Sequence, residues 1–141
     1  ALVNKLINRW ADGRIKLYVT YKALNFRRHN PDLFLQGDYS PLAVEGDREK
    51  NILALARRQG SNWVLAVASR FLTHIAEPHQ PAIGREVWGE SVLRLPPKAP
   101  VLWVDILTGA EHRAIESEPS LTLPLQRIFQ HLPVSFLSNS I

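Results

Sequence analysis

Thirteen carboxylates and five histidines are the side chains from which this chain would have to build an acid–base or metal centre. Glycoside chemistry places two carboxylates across the scissile bond, about 5–9 Å apart depending on mechanism. Most of the acids fall in segments that read as turns or strand edges: Asp47, Glu49, Glu77, Glu86, Glu111, Glu116 and Glu118. Asp105 is the exception, inside the β-type run Val101 to Leu107. Period-two alternation puts Leu102, Val104 and Ile106 on one face, read as the core side, and Trp103 with Asp105 on the other. A tryptophan beside a carboxylate is a candidate substrate-stacking site, with Trp103 as the sugar platform. Packing beneath a neighbouring loop or domain is the commoner use of such a ring.

His74 and His79, in His74-Ile75-Ala76-Glu77-Pro78-His79, invite a metal reading. Zinc sites on a helix take histidines at i and i+4, with a third ligand and a water. Here the spacing is five residues, Pro78 intervenes and no third ligand stands out, so a polar loop is expected and no metal. Nucleophile elbows, glycine-rich phosphate loops and Walker patterns are absent. Serine and histidine occur without a spacing that pairs nucleophile with base. The residues assemble no catalytic site and call for no cofactor.

The elements that must carry these residues divide the chain in two. Leu2, Leu6 and Trp10 recur at i, i+4 and i+8, with Val3 and Ile7 alongside, which predicts a helix with one apolar stripe. Asp12 stands at an N-cap position ahead of a second helix, where its carboxylate would accept from unpaired N–H groups. Ile15, Tyr18, Val19 and Phe26 fall near one face of that helix, while Arg14, Lys22 and Arg28 leave it. Asn30-Pro31 stops it, because the residue before proline is driven from the helical region. Two helices cannot close a core alone, so their apolar faces need cover.

After Gly37 the period shifts from 3.6 to 2. Tyr39 to Val44 reads as a strand interrupted by Pro41, hence an edge. Asn51 to Arg58 and Trp63 to Arg70 form a hairpin across the loop Gln59-Gly60-Ser61-Asn62. Ile75 to Gly84 reads as a loop. Strands follow at Ser91 to Leu95 and Val101 to Leu107, separated by a rigid Pro96-Pro97-Lys98-Ala99-Pro100. His112 to Ile115 pairs back, then come Leu121-Thr122-Leu123, a helical turn over Leu125 to Gln130, and a last strand Val134 to Leu137. Short strands at turn-punctuated spacing predict a mainly β fold: an antiparallel β-sandwich over 36–141, preceded by two α-helices within 1–35.

Composition agrees. With 141 residues, 45% hydrophobic and 21% charged, the chain is ordinary globular material. No apolar run reaches the length of a membrane span, and the start lacks a signal peptide's apolar stretch. Zero cysteines exclude disulfides and every thiolate site, and zero methionines behind Ala1 fit a processed start or a piece of a longer chain. Without signal or cysteine, a cytoplasmic protein is expected. The net charge of +4 is uneven: residues 1–60 carry 11 Lys+Arg against 6 Asp+Glu, and residues 61–141 carry 6 against 7. The bases are single or paired, as in Arg27-Arg28 and Arg57-Arg58, never a run. A solvated face is the expected reading, with no nucleic-acid and no membrane partner.

The run Trp10-Ala11-Asp12-Gly13-Arg14-Ile15-Lys16 is followed in order by Leu24-Asn25-Phe26-Arg27-Arg28, Pro31-Asp32-Leu33-Phe34 and Gly37-Asp38-Tyr39-Ser40-Pro41-Leu42. Further on stand Leu53-Ala54-Leu55-Ala56-Arg57, Val104-Asp105-Ile106-Leu107-Thr108-Gly109 and Leu132-Pro133-Val134-Ser135-Phe136-Leu137. This series resembles the W-x-D-G-R-I-K, L-x-x-R-R, P-x-L-F, G-x-Y-x-P-L, V-x-A-F-A-R, D-x-L-T-G and P-V-x-L-L segments of malto-oligosyltrehalose synthases, in the α-amylase superfamily. The resemblance covers nearly the whole chain, and its D-G-R-I-K-L element with the ordered remainder is its most specific part.

It implies the C-terminal, non-catalytic portion of a larger enzyme, an intramolecular transglycosylase. Such an enzyme turns the reducing-end α-1,4 linkage of a malto-oligosaccharide into an α,α-1,1 linkage. The second helix would be the last of a (β/α)8 barrel and the sandwich would brace that catalytic barrel, its partner in the same polypeptide. The superfamily's Asp nucleophile, Glu acid/base and second Asp lie upstream, so none maps here and the fragment is expected to be inactive. Because barrel active sites lie on the face of the strand-to-helix loops, Arg14 and Lys16 become candidate substrate-binding residues, with salt bridges to the barrel as the alternative. A carbohydrate-binding module built on exposed tryptophans such as Trp88 or Trp103 is the rival reading.

Overall fold

The computed structural model describes residues 2–8, 14–70 and 82–139. Its helical opening holds α1 (Leu2–Asn8), α2 (Arg14–His29) and α3 (Pro31–Gln36). The break expected at Asn30-Pro31 is present, but Pro31 starts a third helix rather than a loop. A proline in the first turn surrenders no hydrogen bond, because that N–H has no intrahelical partner. Asp12, the candidate cap, and Trp10 lie outside the described residues, as do His74, Glu77 and His79.

Among the described residues ten strands, a 3-10 turn over Glu49–Asn51 and two short α-helical turns follow: β1 (Asp38–Pro41), β2 (Ala43–Glu45), β3 (Ile52–Gln59), β4 (Asn62–Ser69), α4 (Arg85–Trp88), β5 (Val92–Arg94), β6 (Leu102–Asp105), β7 (Glu111–Arg113), β8 (Ile115–Ser117), β9 (Ser120–Pro124), α5 (Leu125–Ile128) and β10 (Val134–Ser138). They form a six-stranded sheet in the order β1-β3-β4-β10-β6-β7 and a four-stranded sheet in the order β2-β5-β9-β8, antiparallel throughout. The fold is mainly β, two sheets behind a few helices, as the strand spacing predicts. Among the described residues no helix is long and apolar enough to cross a membrane.

Two strands depart from the expected pattern, each for a local reason. Tyr39 to Val44 is not one strand, because the chain leaves the larger sheet after Pro41 and enters the smaller one at Ala43. Pro41 does sit on an edge, where its missing N–H costs the ladder nothing. The β3–β4 hairpin closes through a two-residue turn, Gly60-Ser61, with Gly60 at φ +59°. That left-handed conformation is nearly free for glycine and costly for residues with a Cβ.

The core lies between the sheets. Ile52, Ala54 and Ala56 of β3 and Trp63, Leu65 and Val67 of β4 face Leu93, Leu123 and Val44 across it, with Trp88, Leu125 and Phe129 filling one end. Trp88 and Phe129 pack at 4.8 Å between ring centroids, and the Trp88 indole donates to the Ala82 carbonyl at 2.8 Å. The smaller sheet is tied across its strands by Arg94 of β5. Its guanidinium grips both carboxylate oxygens of Glu45 on β2 at 2.6 and 2.9 Å and also donates to the Ser117 carbonyl on β8.

On the other side, α3 is fastened to β3. Leu33 is buried, and Arg57 donates to the Phe34 carbonyl at 2.8 Å while its guanidinium lies 5.9 Å from the Phe34 ring. Gly37 ends α3 so tightly that a Cβ there would stand 2.2 Å from the Leu33 carbonyl oxygen and 3.1 Å from that of Arg58. Gly37→Ala should therefore cost about 1–3 kcal/mol of stability through forced displacement, read as a lower urea midpoint. A variant as stable as the parent would show that α3 can shift off β3 at no cost.

Candidate functional site

The run Val101 to Leu107 is inserted the opposite way round from the simple alternation. Trp103 is 1% exposed and Asp105 2%, whereas Leu102 is 61% exposed and Val104 and Ile106 are half-buried. The expectation that Trp103 faces outward is corrected. Its ring packs edge-on against Trp63 at 6.4 Å and 87°, and its N–H donates to the Pro100 carbonyl at 2.8 Å. An indole buries far more apolar surface than leucine or valine, and with its one donor satisfied nothing opposes its entry.

Asp105 enters by the same logic. One carboxylate oxygen accepts from the Leu107 N–H at 2.8 Å and the other from the Ser135 hydroxyl at 2.8 Å. The backbone N–H groups of Phe136 and Thr108 also favour its charged form. Burial nevertheless wins and raises the pKa of Asp105 above the ordinary carboxylate value. The contact to Leu107, two residues on, is an Asx-turn. It is completed by the Gly109 N–H on the Asp105 carbonyl at 2.7 Å and by Gly109 itself at φ +78°.

This turn is where the sandwich meets the helices. Leu107 and Leu132 form a second buried cluster with Leu6 and Ile7 of α1 and Ile15 of α2, flanked by Tyr18, Val19, Ile106, Val134 and Phe136. The Tyr18 hydroxyl donates to the Leu107 carbonyl at 2.5 Å. Burial and the nearby Asp105 charge both raise the Tyr18 pKa, so the phenol stays protonated and able to donate. The expected apolar face of α2 is present: Ile15 is buried, and Tyr18, Val19 and Phe26 are half-buried.

Beside this clamp a cleft of about 470 Å³ opens between Tyr18, Lys22 and Phe26 of α2 and the segment Val104 to Gly109. The carboxylate that borders it, Asp105, accepts from the Leu107 N–H and the Ser135 hydroxyl. The three candidate substrate residues are not brought together. Arg14 and Lys16 are exposed at the start of α2, and Trp103 lies in the sandwich core. Trp63 and Trp88 are buried as well, so no tryptophan among the described residues offers a stacking surface. Nor, among the described residues, do three or more metal-ligating side chains cluster.

The surroundings were partly visible beforehand. Asp-x-Leu-Thr-Gly at a strand end is an Asx-turn signal, but the partners Ser135 and Tyr18 lie 30 and 87 residues away from Asp105 in sequence, where no local pattern points to them.

No family model matches the chain, and no curated protein matches it. Among solved structures it is similar to a noncanonic maltogenic alpha-amylase, AmyB, from Thermotoga neapolitana, with a TM-score of 0.54. The likeness is one of fold. Identity is 12%, and the match covers 85% of this chain and 24% of the amylase. This chain thus corresponds to about a quarter of that enzyme's length.

Asp105→Asn tests the clamp. An amide keeps only one accepting oxygen where the carboxylate accepts from both the Leu107 N–H and the Ser135 hydroxyl, so the variant should lose about 1–3 kcal/mol. The pH dependence has a definite sign. With its pKa raised on folding, Asp105 binds its proton more tightly in the folded chain. Its contribution to stability is thus fully present at low pH and is lost as pH rises through the raised value. The gap between parent and variant in urea melts should narrow from the acid side towards neutrality, and a gap that widens would contradict the burial argument.

Proposed function

We propose that this chain is the C-terminal, non-catalytic region of a malto-oligosyltrehalose synthase. In this reading residues 1–35 end its catalytic barrel and residues 36–141 brace it. The parent would convert the reducing-end α-1,4 linkage of a malto-oligosaccharide into an α,α-1,1 linkage with carboxylates upstream of this chain. The observation that carries the reading is the clamp. The Asp-x-Leu-Thr-Gly and Leu-Pro-Val segments that resemble this family are the ones whose Leu107 and Leu132 grip α1 and α2. Contact between buried leucines of the sandwich and the helix pair supports the bracing reading. The amylase fold likeness supports a glycoside-active parent, although the linkage-rearranging activity rests on the sequence motifs alone.

In this proposal Arg14 and Lys16, at the start of α2, stand at the end of the helix nearest the barrel's substrate face. Trp103 has no such role, because its ring is enclosed. The carbohydrate-binding alternative loses its platforms for the same reason.

Two measurements decide the matter. The 141-residue chain, mixed with maltopentaose in a calorimeter, should show no heat of binding and yield no non-reducing product. Stopping the parent enzyme after Gly37 should leave it insoluble or inactive, and a soluble, fully active product would remove the bracing role. Conversion by the fragment alone would mean that its turn carboxylates are catalytic.

A further inference from the structure

Lys22 breaks the pattern of α2. The helical period sends it off the packed face, yet it is half-buried and in line with Tyr18 and Phe26, at i−4 and i+4. All three border the cleft of about 470 Å³ against Val104 to Gly109. A lysine drawn out of solvent is normally paired with a carboxylate, or reaches back to water along its stem. Among the described residues Lys22 has no ion-pair partner. The one carboxylate bordering the cleft, Asp105, is 2% exposed and accepts from Leu107 and Ser135.

The remaining polar groups narrow what the cleft can take. The Tyr18 hydroxyl is engaged by the Leu107 carbonyl. The Thr108 hydroxyl oxygen accepts from the Ala110 N–H at 3.2 Å, which leaves its own proton to donate. Two side-chain donors, Lys22 and Thr108, therefore face apolar walls made by the rings of Tyr18 and Phe26 with Val104 and Ile106. A volume of this size, mostly apolar walls and a few polar groups are the usual makeup of a small-molecule site. We propose that this cleft binds a small carboxylate with an aromatic body. The carboxylate would lie on Lys22 and Thr108, with the ring against Tyr18 and Phe26. An ionised carboxylate only accepts, so it suits both donors, and it supplies the charge that Lys22 lacks. A neutral sugar would leave the ammonium uncompensated. The site belongs to the joint between α2 and the sandwich, and it stands whatever reaction the parent enzyme performs.

The test titrates 2-naphthoate, and its neutral isostere the naphthamide, into the isotopically labelled 141-residue chain. The Thr108 and Gly109 amide resonances should shift with naphthoate, and naphthamide should bind about tenfold more weakly or worse. Affinity for naphthoate should fall as salt rises. Lys22→Met removes the charge and keeps the stem, and should weaken naphthoate about tenfold. Lys22→Arg should retain binding, and Lys98→Met, at an exposed lysine away from the cleft, should leave it unchanged. Equal affinity for the two compounds, or binding of neither, overturns the proposal. So does naphthoate binding that survives Lys22→Met, the result expected of a lysine whose stem merely covers apolar surface. Shifts confined to residues outside the cleft overturn it as well. Displacement of naphthoate by maltopentaose would do the same, because a neutral sugar has no use for the ammonium.

Discussion

A carboxylate is an expensive group to bury, and the junction of this protein is organised around one. Asp105 ends β6 almost wholly buried, so its oxygens must find donors within the protein. The nearest are the N–H of Leu107 and the hydroxyl of Ser135. Meeting the first folds the chain into a tight turn; meeting the second fixes that turn against β10. Once the turn is set, the Leu107 carbonyl faces Tyr18 and the Leu107 side chain enters the cluster with Ile15 and Leu132. The placement of α2 on the sandwich follows from these contacts, and with it the direction of every side chain the helix turns outward.

Much of this order is legible in the residues, and the failures are informative. The β3–β4 hairpin is evident because one glycine loop separates two runs of equal length, so register and turn agree. Pro41 is recognisable as an edge residue because its missing donor allows little else. The division of Tyr39 to Val44 between two sheets is not legible, since the residues on either side of Leu42 both suit a strand and only distant partners distinguish them. Alternation fixes which side chains share a face of β6 but is silent on which face lies inside. Volume and donors decide that: Trp103 reaches Trp63 and the Pro100 carbonyl, Asp105 reaches Ser135, and Leu102 is left outside.

Several of the segments that carry the sequence resemblance sit at mechanical joints. Leu33 and Phe34 hold α3 to β3 through Arg57, and Gly37 ends that helix where no Cβ fits. Asp105 to Gly109 and the Leu132-Pro133-Val134 segment make the clamp on α1 and α2. Each is explained by packing or hydrogen bonding without any substrate. The chemistry-bearing types are spread differently: Asp47, Glu49, Glu86, Glu111, Glu116 and Glu118 are all exposed, and the described tryptophans are enclosed. The patterns described at these joints serve packing within the chain.

Against these packed joints, the second face of α2 stands out as exposed. Fully burying a leucine contributes roughly 1.5–3 kcal/mol relative to leaving it in water, and α2 forgoes most of this at Leu17 and Leu24. A helix meant to end at solvent would carry polar side chains on the face opposite its packing stripe. The isolated chain gains nothing from an apolar row there, nor from the absence of any acid along sixteen residues dense in bases. The inner face of α2 therefore accounts for its place in this fold, while Leu17, Tyr21 and Leu24 leave the opposite face apolar and exposed.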